Sequence, residues 1–109
     1  MAAARFVLSL LLLAGAASAP ALAQQVGNVD SGRAIARKWC GSCHLVGNEP
    51  QGGATDAAPP FAALAADPST TEFRLRAFFM TPHQRMPDIR LSRDETDDII
   101  AYILSLRRP

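Results

Sequence analysis

Apolar positions open the chain as a near-continuous run, Phe6 to Ala14, behind one positive charge at Arg5, and then recur with helical spacing in separate stretches. The opening run is too short to span a bilayer as a permanent helix. Small residues follow and end in Ala21-Leu22-Ala23 before Gln24, the pattern of a signal peptide cut after Ala23. Ala17-Ser18-Ala19 is a second candidate, but Pro20 would sit just after that cut. The leader holds no cysteine, so a lipid-anchored form is not expected. Residues 1–23 are therefore assigned to a cleaved leader and residues 24–109 to one domain.

Beyond the leader the pattern predicts helices. Asp30 or Ser31 caps a first helix that runs to about Trp39, with Ile35 and Trp39 four apart on its apolar side. Phe61 to Ala66 forms a short helix, stopped by Asp67-Pro68. Ser69 and Glu72 read as a capping box opening a helix to about Met80. Its buried side is predicted to hold Phe73, Ala77 and either Phe78 or Met80, and Thr81-Pro82 ends it. Ser92 and Glu95 form a second capping box, and the helix they open runs to about Leu106. Ile99, Ile100, Ile103, Leu104 and Leu106 mark its buried side. No useful strand pattern, repeat or heptad is visible, so the fold class is all-α, with three or four helices.

Two long loops remain, residues 45–60 and 83–91. The first is rich in glycine and proline, and its Gly52-Gly53 pair lacks the flanking strand and Lys-Ser/Thr of a phosphate loop. Loops this long in a small domain are usually functional or wrapped around something. A domain of this size buries only a modest core by itself.

The candidate chemistry lies at the end of the first helix, in Cys40-Gly41-Ser42-Cys43-His44. This is the C-x-x-C-H attachment signature of a c-type haem. Two thiols at this spacing reach two vinyl groups on one face of a porphyrin, and the next histidine is held against the iron as a proximal ligand. Both cysteines of the chain are accounted for. A redox dithiol of the thioredoxin kind, suggested by Trp39 before the motif, wants a buried strand ahead of it, and residues 31–38 do not read as one. Structural zinc wants four ligands, and no second cysteine pair exists. A haem bound at Cys40, Cys43 and His44 would also give a small domain a large apolar centre. In bacteria such haem is attached after export, in agreement with the leader.

Haem function turns on the ligand opposite the histidine. Met86 and His83 lie in the second loop, and Met80 lies at the end of a predicted helix, where a core role fits better.

Taken together these parts resemble a small bacterial class I cytochrome c. The resemblance spans nearly all of residues 24–109. It rests on the C-x-x-C-H helix end, the Ala58-Pro59-Pro60-Phe61 turn, the Met86-Pro87 loop and the capped terminal helix through Ile99, Ile100 and Tyr102. It implies a cytochrome c fold around one covalent haem, with Met86 as distal ligand. It also implies that a proline carbonyl accepts a hydrogen bond from His44, at Pro59 or one residue on at Pro60. The first and last helices would cross at Gly32, with Tyr102 packed over it.

The function the resemblance implies is one-electron transfer rather than enzymatic catalysis. The implied route runs between a periplasmic dehydrogenase or quinol-oxidising complex and a terminal oxidase or reductase. Two alternatives are a ligand-binding or catalytic haem protein with a vacant sixth site, and a dedicated haem subunit of a periplasmic dehydrogenase.

Charge narrows the partners little. Loss of Arg5 with the leader brings Lys+Arg down from 11 to match the 10 Asp+Glu. No basic run points to nucleic acid and no cationic amphipathic helix to a membrane; protein redox partners are what the resemblance implies, and a monomer is expected. Arg85 is a candidate for a haem propionate, Trp39 for the haem edge or the terminal helix, and Arg107 and Arg108 for an acidic partner or the terminal helix end.

Overall fold

A computed structural model describes residues 26–48, 58–82 and 85–109. The predicted leader and the Gly52-Gly53 pair lie outside the described residues. The described residues hold four α-helices and no strand: α1 (Val29–Trp39), α2 (Phe61–Ala66), α3 (Glu72–Phe79) and α4 (Arg93–Ser105). α4 is the hub, packed against α1, α2 and α3 in turn. That explains why it is buried beyond one stripe, with Ala101 and Tyr102 buried as well as Ile99, Ile100 and Ile103. Leu104 and Leu106 are only partly buried at its edge. The capping box at Ser92 and Glu95 forms as expected.

α1 begins earlier than predicted. Its N-cap is Asn28, whose side chain accepts from the Ser31 amide at 2.9 Å. The Asn28 amide in turn donates to Asp98 Oδ1 at 2.6 Å. Asp30 falls inside the first turn, where its charge opposes the helix dipole. The start is set by tertiary contact. Gly27 takes a φ of +99°, and a Cβ there would overlap the Asp97 carbonyl. The buried stripe of α1 is Gly32, Ala36 and Cys40. Ile35 is partly buried and Trp39 is 47% exposed. Small residues win the inner face because the α1 and α4 backbones come close. At Gly32 an added Cβ would overlap the Asp98 carbonyl oxygen and stand 2.8 Å from Tyr102 Cβ, so the expected crossing is present.

α3 departs most from expectation. Thr71, not Ser69, is its N-cap and accepts from the Arg74 amide at 3.2 Å. The Ser69 hydroxyl accepts from the Arg74 guanidinium instead, at 2.8 Å. Leu75 is buried and Phe79 packs against the core, while Phe73 is 83% exposed, Met80 is 78% exposed and Ala77 is exposed. The helix is apolar on several sides, so its pattern alone selects no face. Contact with α4 selects the Leu75 side, where Arg76 forms an ion pair with Asp97 at 2.5 Å.

The Arg107 amide donates to the Leu104 carbonyl at the end of α4, at 3.2 Å, while its side chain turns elsewhere. Its guanidinium donates to the carbonyls of Ala65, at 3.0 Å, and Thr70, at 2.6 Å. It ties the end of α2 and the following turn to the end of α4.

Candidate functional site

α1 ends in Cys40, whose amide still donates to the Ala36 carbonyl. The chain then tightens: the amides of Cys43 and His44 both donate to the Cys40 carbonyl, at 3.1 and 2.9 Å. This turn brings Cys40, Cys43 and His44 to the wall of one cleft of about 410 Å³. Neither cysteine is in a disulfide; Cys40 is buried and Cys43 exposed. Burial pushes the Cys40 thiol up to about 11, which does not suit a reactive thiolate. A helix N-terminus is one feature that lowers a thiol, and this motif instead follows the C-terminal end of α1. Among the described residues no cluster of three His, Cys, Asp or Glu stands ready for a metal ion.

His44 Nδ1 lies 2.7 Å from the Pro59 carbonyl oxygen. That oxygen can only accept, so Nδ1 carries the proton of this bond, and the neutral tautomer compatible with it has its lone pair on Nε2. The hydrogen bond falls on Pro59 rather than Pro60. Pro60 instead precedes α2 as its N-cap, and its carbonyl accepts from Leu64.

The Met86-Pro87 loop forms another part of the same cleft wall, with Ile89. Met86 is half-buried. Met80, by contrast, is the C-cap of α3, largely exposed and no part of the cleft wall; the core role expected for it is not found. His83 lies outside the described residues. Arg85 is exposed and lines the cleft, and Trp39 lines it while also reaching the pocket beside Ile99.

Sequence reasoning missed several wall residues. Phe78, Leu75 and Arg74 of α3 line the cleft, as do Leu64 of α2 and Asp67 and Thr70 of the turn after it. Trp39 and Phe78, 47% and 48% exposed, present large apolar surfaces. The proline after Met86 and the alanine-rich α2 gave no sign of which α3 residues would face the loop. A flat, apolar macrocycle with a polar edge fits such walls, and the donor set fits its attachment: two thiols, an imidazole and a thioether sulfur.

Residues 27–103 match the family model described as cytochrome c oxidase, cbb3-type, subunit III. The chain belongs to this family of c-type cytochromes. It is similar to cytochrome c-552 of Bradyrhizobium diazoefficiens, with 42% identity over 98 residues that cover 90% of each chain. No solved structure matches. The helical fold without strands among the described residues is that of a cytochrome c, and the chain is a small haem-based electron carrier.

Proposed function

We propose that the chain carries one haem, joined by thioethers to Cys40 and Cys43 and held axially by His44 and Met86, and that it shuttles single electrons between periplasmic redox partners. The observation that carries this reading is the meeting of Cys40, Cys43, His44 and Met86 in one cleft. The bond to Pro59 supports His44 as the proximal ligand, since it fixes the tautomer and ring orientation and raises the donor strength of Nε2.

When bound, the haem supplies reversible one-electron chemistry. The residues do the rest. A thioether is a neutral, soft donor that favours the ferrous state, and apolar walls disfavour the extra charge of the ferric state. Were His44 and Met86 both to hold the iron, small molecules would be kept from it, which favours a carrier over an enzyme. Docking to a partner at the exposed haem edge is small and transient, as for redox encounters generally.

Export to the periplasm follows from covalent haem attachment and from the leader with its cut after Ala23. No helix among the described residues is long and apolar enough to cross a membrane. The alternative of a dedicated dehydrogenase subunit differs from the matched family's description, which names an oxidase subunit; stoichiometric co-purification with a larger redox complex would select a bound subunit over a free shuttle.

The deciding experiment is a visible spectrum of the purified protein, ferric and ferrous, with carbon monoxide added to the ferrous sample. A low-spin spectrum with the weak ferric methionine-to-iron band, indifferent to carbon monoxide, is expected. A high-spin ferric spectrum or ready carbon monoxide binding would replace this reading with ligand binding or catalysis.

A further inference from the structure

Three consecutive residues after the second thiol carry hydrogen bonds to two separate parts of the chain, the turn into α2 and α4. His44 Nδ1 is 2.7 Å from the Pro59 carbonyl. The Leu45 carbonyl accepts from the Phe61 amide at 2.9 Å. The Val46 carbonyl accepts from the Tyr102 hydroxyl at 2.5 Å. The Phe61 ring lies 5.3 Å from the His44 ring and 6.4 Å from the Tyr102 ring, tilted against both. Val46, Phe61 and Tyr102 are all but inaccessible to solvent.

We propose that Tyr102 is a positioning residue for the proximal histidine, acting through the Val46 carbonyl. The inference rests on His44 being an axial haem ligand. Tyr102 is itself firmly placed. Its Cβ sits against Gly32 at the α1/α4 crossing, and the Arg33 guanidinium lies 5.6 Å from its ring centre, a cation–π contact. Its hydroxyl therefore carries the helix crossing to a point two residues from His44, while Phe61 fills the space between the two rings. A buried carbonyl needs a donor, and the Val46 carbonyl receives one from α4. The bond has an electrostatic consequence too. The hydroxyl dipole offsets the negative end of a buried carbonyl two residues along the chain from the proximal ligand. Without it that uncompensated negative end favours the ferric state, and the His44 ring loses one of its restraints.

Tyr102→Phe removes the hydroxyl and keeps the ring over Gly32. At the wild-type midpoint potential the ferric-to-ferrous ratio of this variant is expected to rise about threefold, the effect of losing part of one buried hydrogen bond. Its low-spin ferric EPR g-values, which report the orientation of the axial imidazole, are expected to move as well. Ile103→Val trims the same helix without touching the hydroxyl, and should lower stability while leaving potential and g-values in place. An unchanged potential and EPR spectrum in Tyr102→Phe overturns the proposal, as does an equal shift in Ile103→Val. Should Tyr102→Phe yield no soluble holo-protein, 3-fluorotyrosine decides, because Tyr102 is the single tyrosine of the chain. That stronger donor of nearly the same shape should shift the ratio the opposite way, and no shift would overturn the proposal. A pyridine haemochrome assay separates the two levels. Wild-type protein without covalent haem fails the underlying reading and this one together; haem-loaded variants without a shift fail the tyrosine's role alone.

Discussion

Gly32 and Asp98 meet backbone to backbone: a Cβ at Gly32 would overlap the Asp98 carbonyl oxygen. Neither partner can yield cheaply. Asp98 lies in α4, and its side chain holds the Asn28 amide that starts α1. Gly32→Ala must therefore push α1 away from α4, opening the contact that also seats Tyr102. A loss of about 3 kcal/mol or more is expected, measured by chemical denaturation of the holo-protein. Stability within error of wild type would show that the helices cross elsewhere.

Removing the thiols tests the attachment. Cys40→Ala combined with Cys43→Ala should leave no haem after denaturation in acid acetone, because nothing covalent retains it. Haem that survives this treatment on the double variant would mean that the cysteines are not the anchors. The single variants are expected to retain one thioether, with the vinyl left unreacted visible as a red shift of the haemochrome band.

Met86→Ala should open the sixth position, abolish the weak ferric methionine-to-iron band and admit carbon monoxide to the ferrous protein. Met80→Ala should do none of these, because Met80 is 78% exposed and no part of the cleft wall. A reversed outcome would move the distal ligand from the Met86-Pro87 loop to the end of α3.

Arg107 anchors α2 through the Ala65 and Thr70 carbonyls. Charged hydrogen bonds of this kind contribute more than neutral ones, so Arg107→Ala should cost about 1–3 kcal/mol. Arg108→Ala should change stability by no more than about 0.5 kcal/mol. Paired thermal melts separate the two. Equal melting temperatures for both variants would mean that the Arg107 bonds add nothing to the fold.

The features legible in the sequence are those that local chemistry dictates. The C-x-x-C-H run, the Ser92–Glu95 capping box and the proline and glycine breaks each carry their meaning within a few residues. The extents of α2 and α4 followed from them. Features set by distant contact were not legible. Asn28 caps α1 because Asp98 holds its amide, and nothing near Asn28 in sequence announces that bond. Phe73 is exposed and Leu75 buried because α4 approaches α3 from the Leu75 side, a choice the apolar α3 pattern left open. The cleft itself was half legible. Cys40, Cys43, His44 and Met86 were found from motif and resemblance, and the Phe78 wall was missed because it depends on how α3 is rotated.

Glu95 gives the fold an acid-sensitive joint. Its carboxylate accepts the Ser92 amide at 2.8 Å. That backbone bond and then the Ser92 side chain hold its carboxyl below the ordinary glutamate value; burial opposes them, and the charge of Lys38 adds to them last. A carboxyl more acidic in the folded than in the unfolded chain stabilises the fold fully above its unfolded value. That contribution drains away as pH falls through the folded value. Wild-type stability should therefore decline as pH drops below about 4.5. Glu95→Gln keeps a weaker acceptor and cannot titrate. It should be less stable than wild type at about pH 7 and lose the difference as pH falls through the folded value of Glu95. Urea denaturation of both proteins across that range measures it. Parallel stability curves would mean that the α4 cap contributes nothing to acid sensitivity.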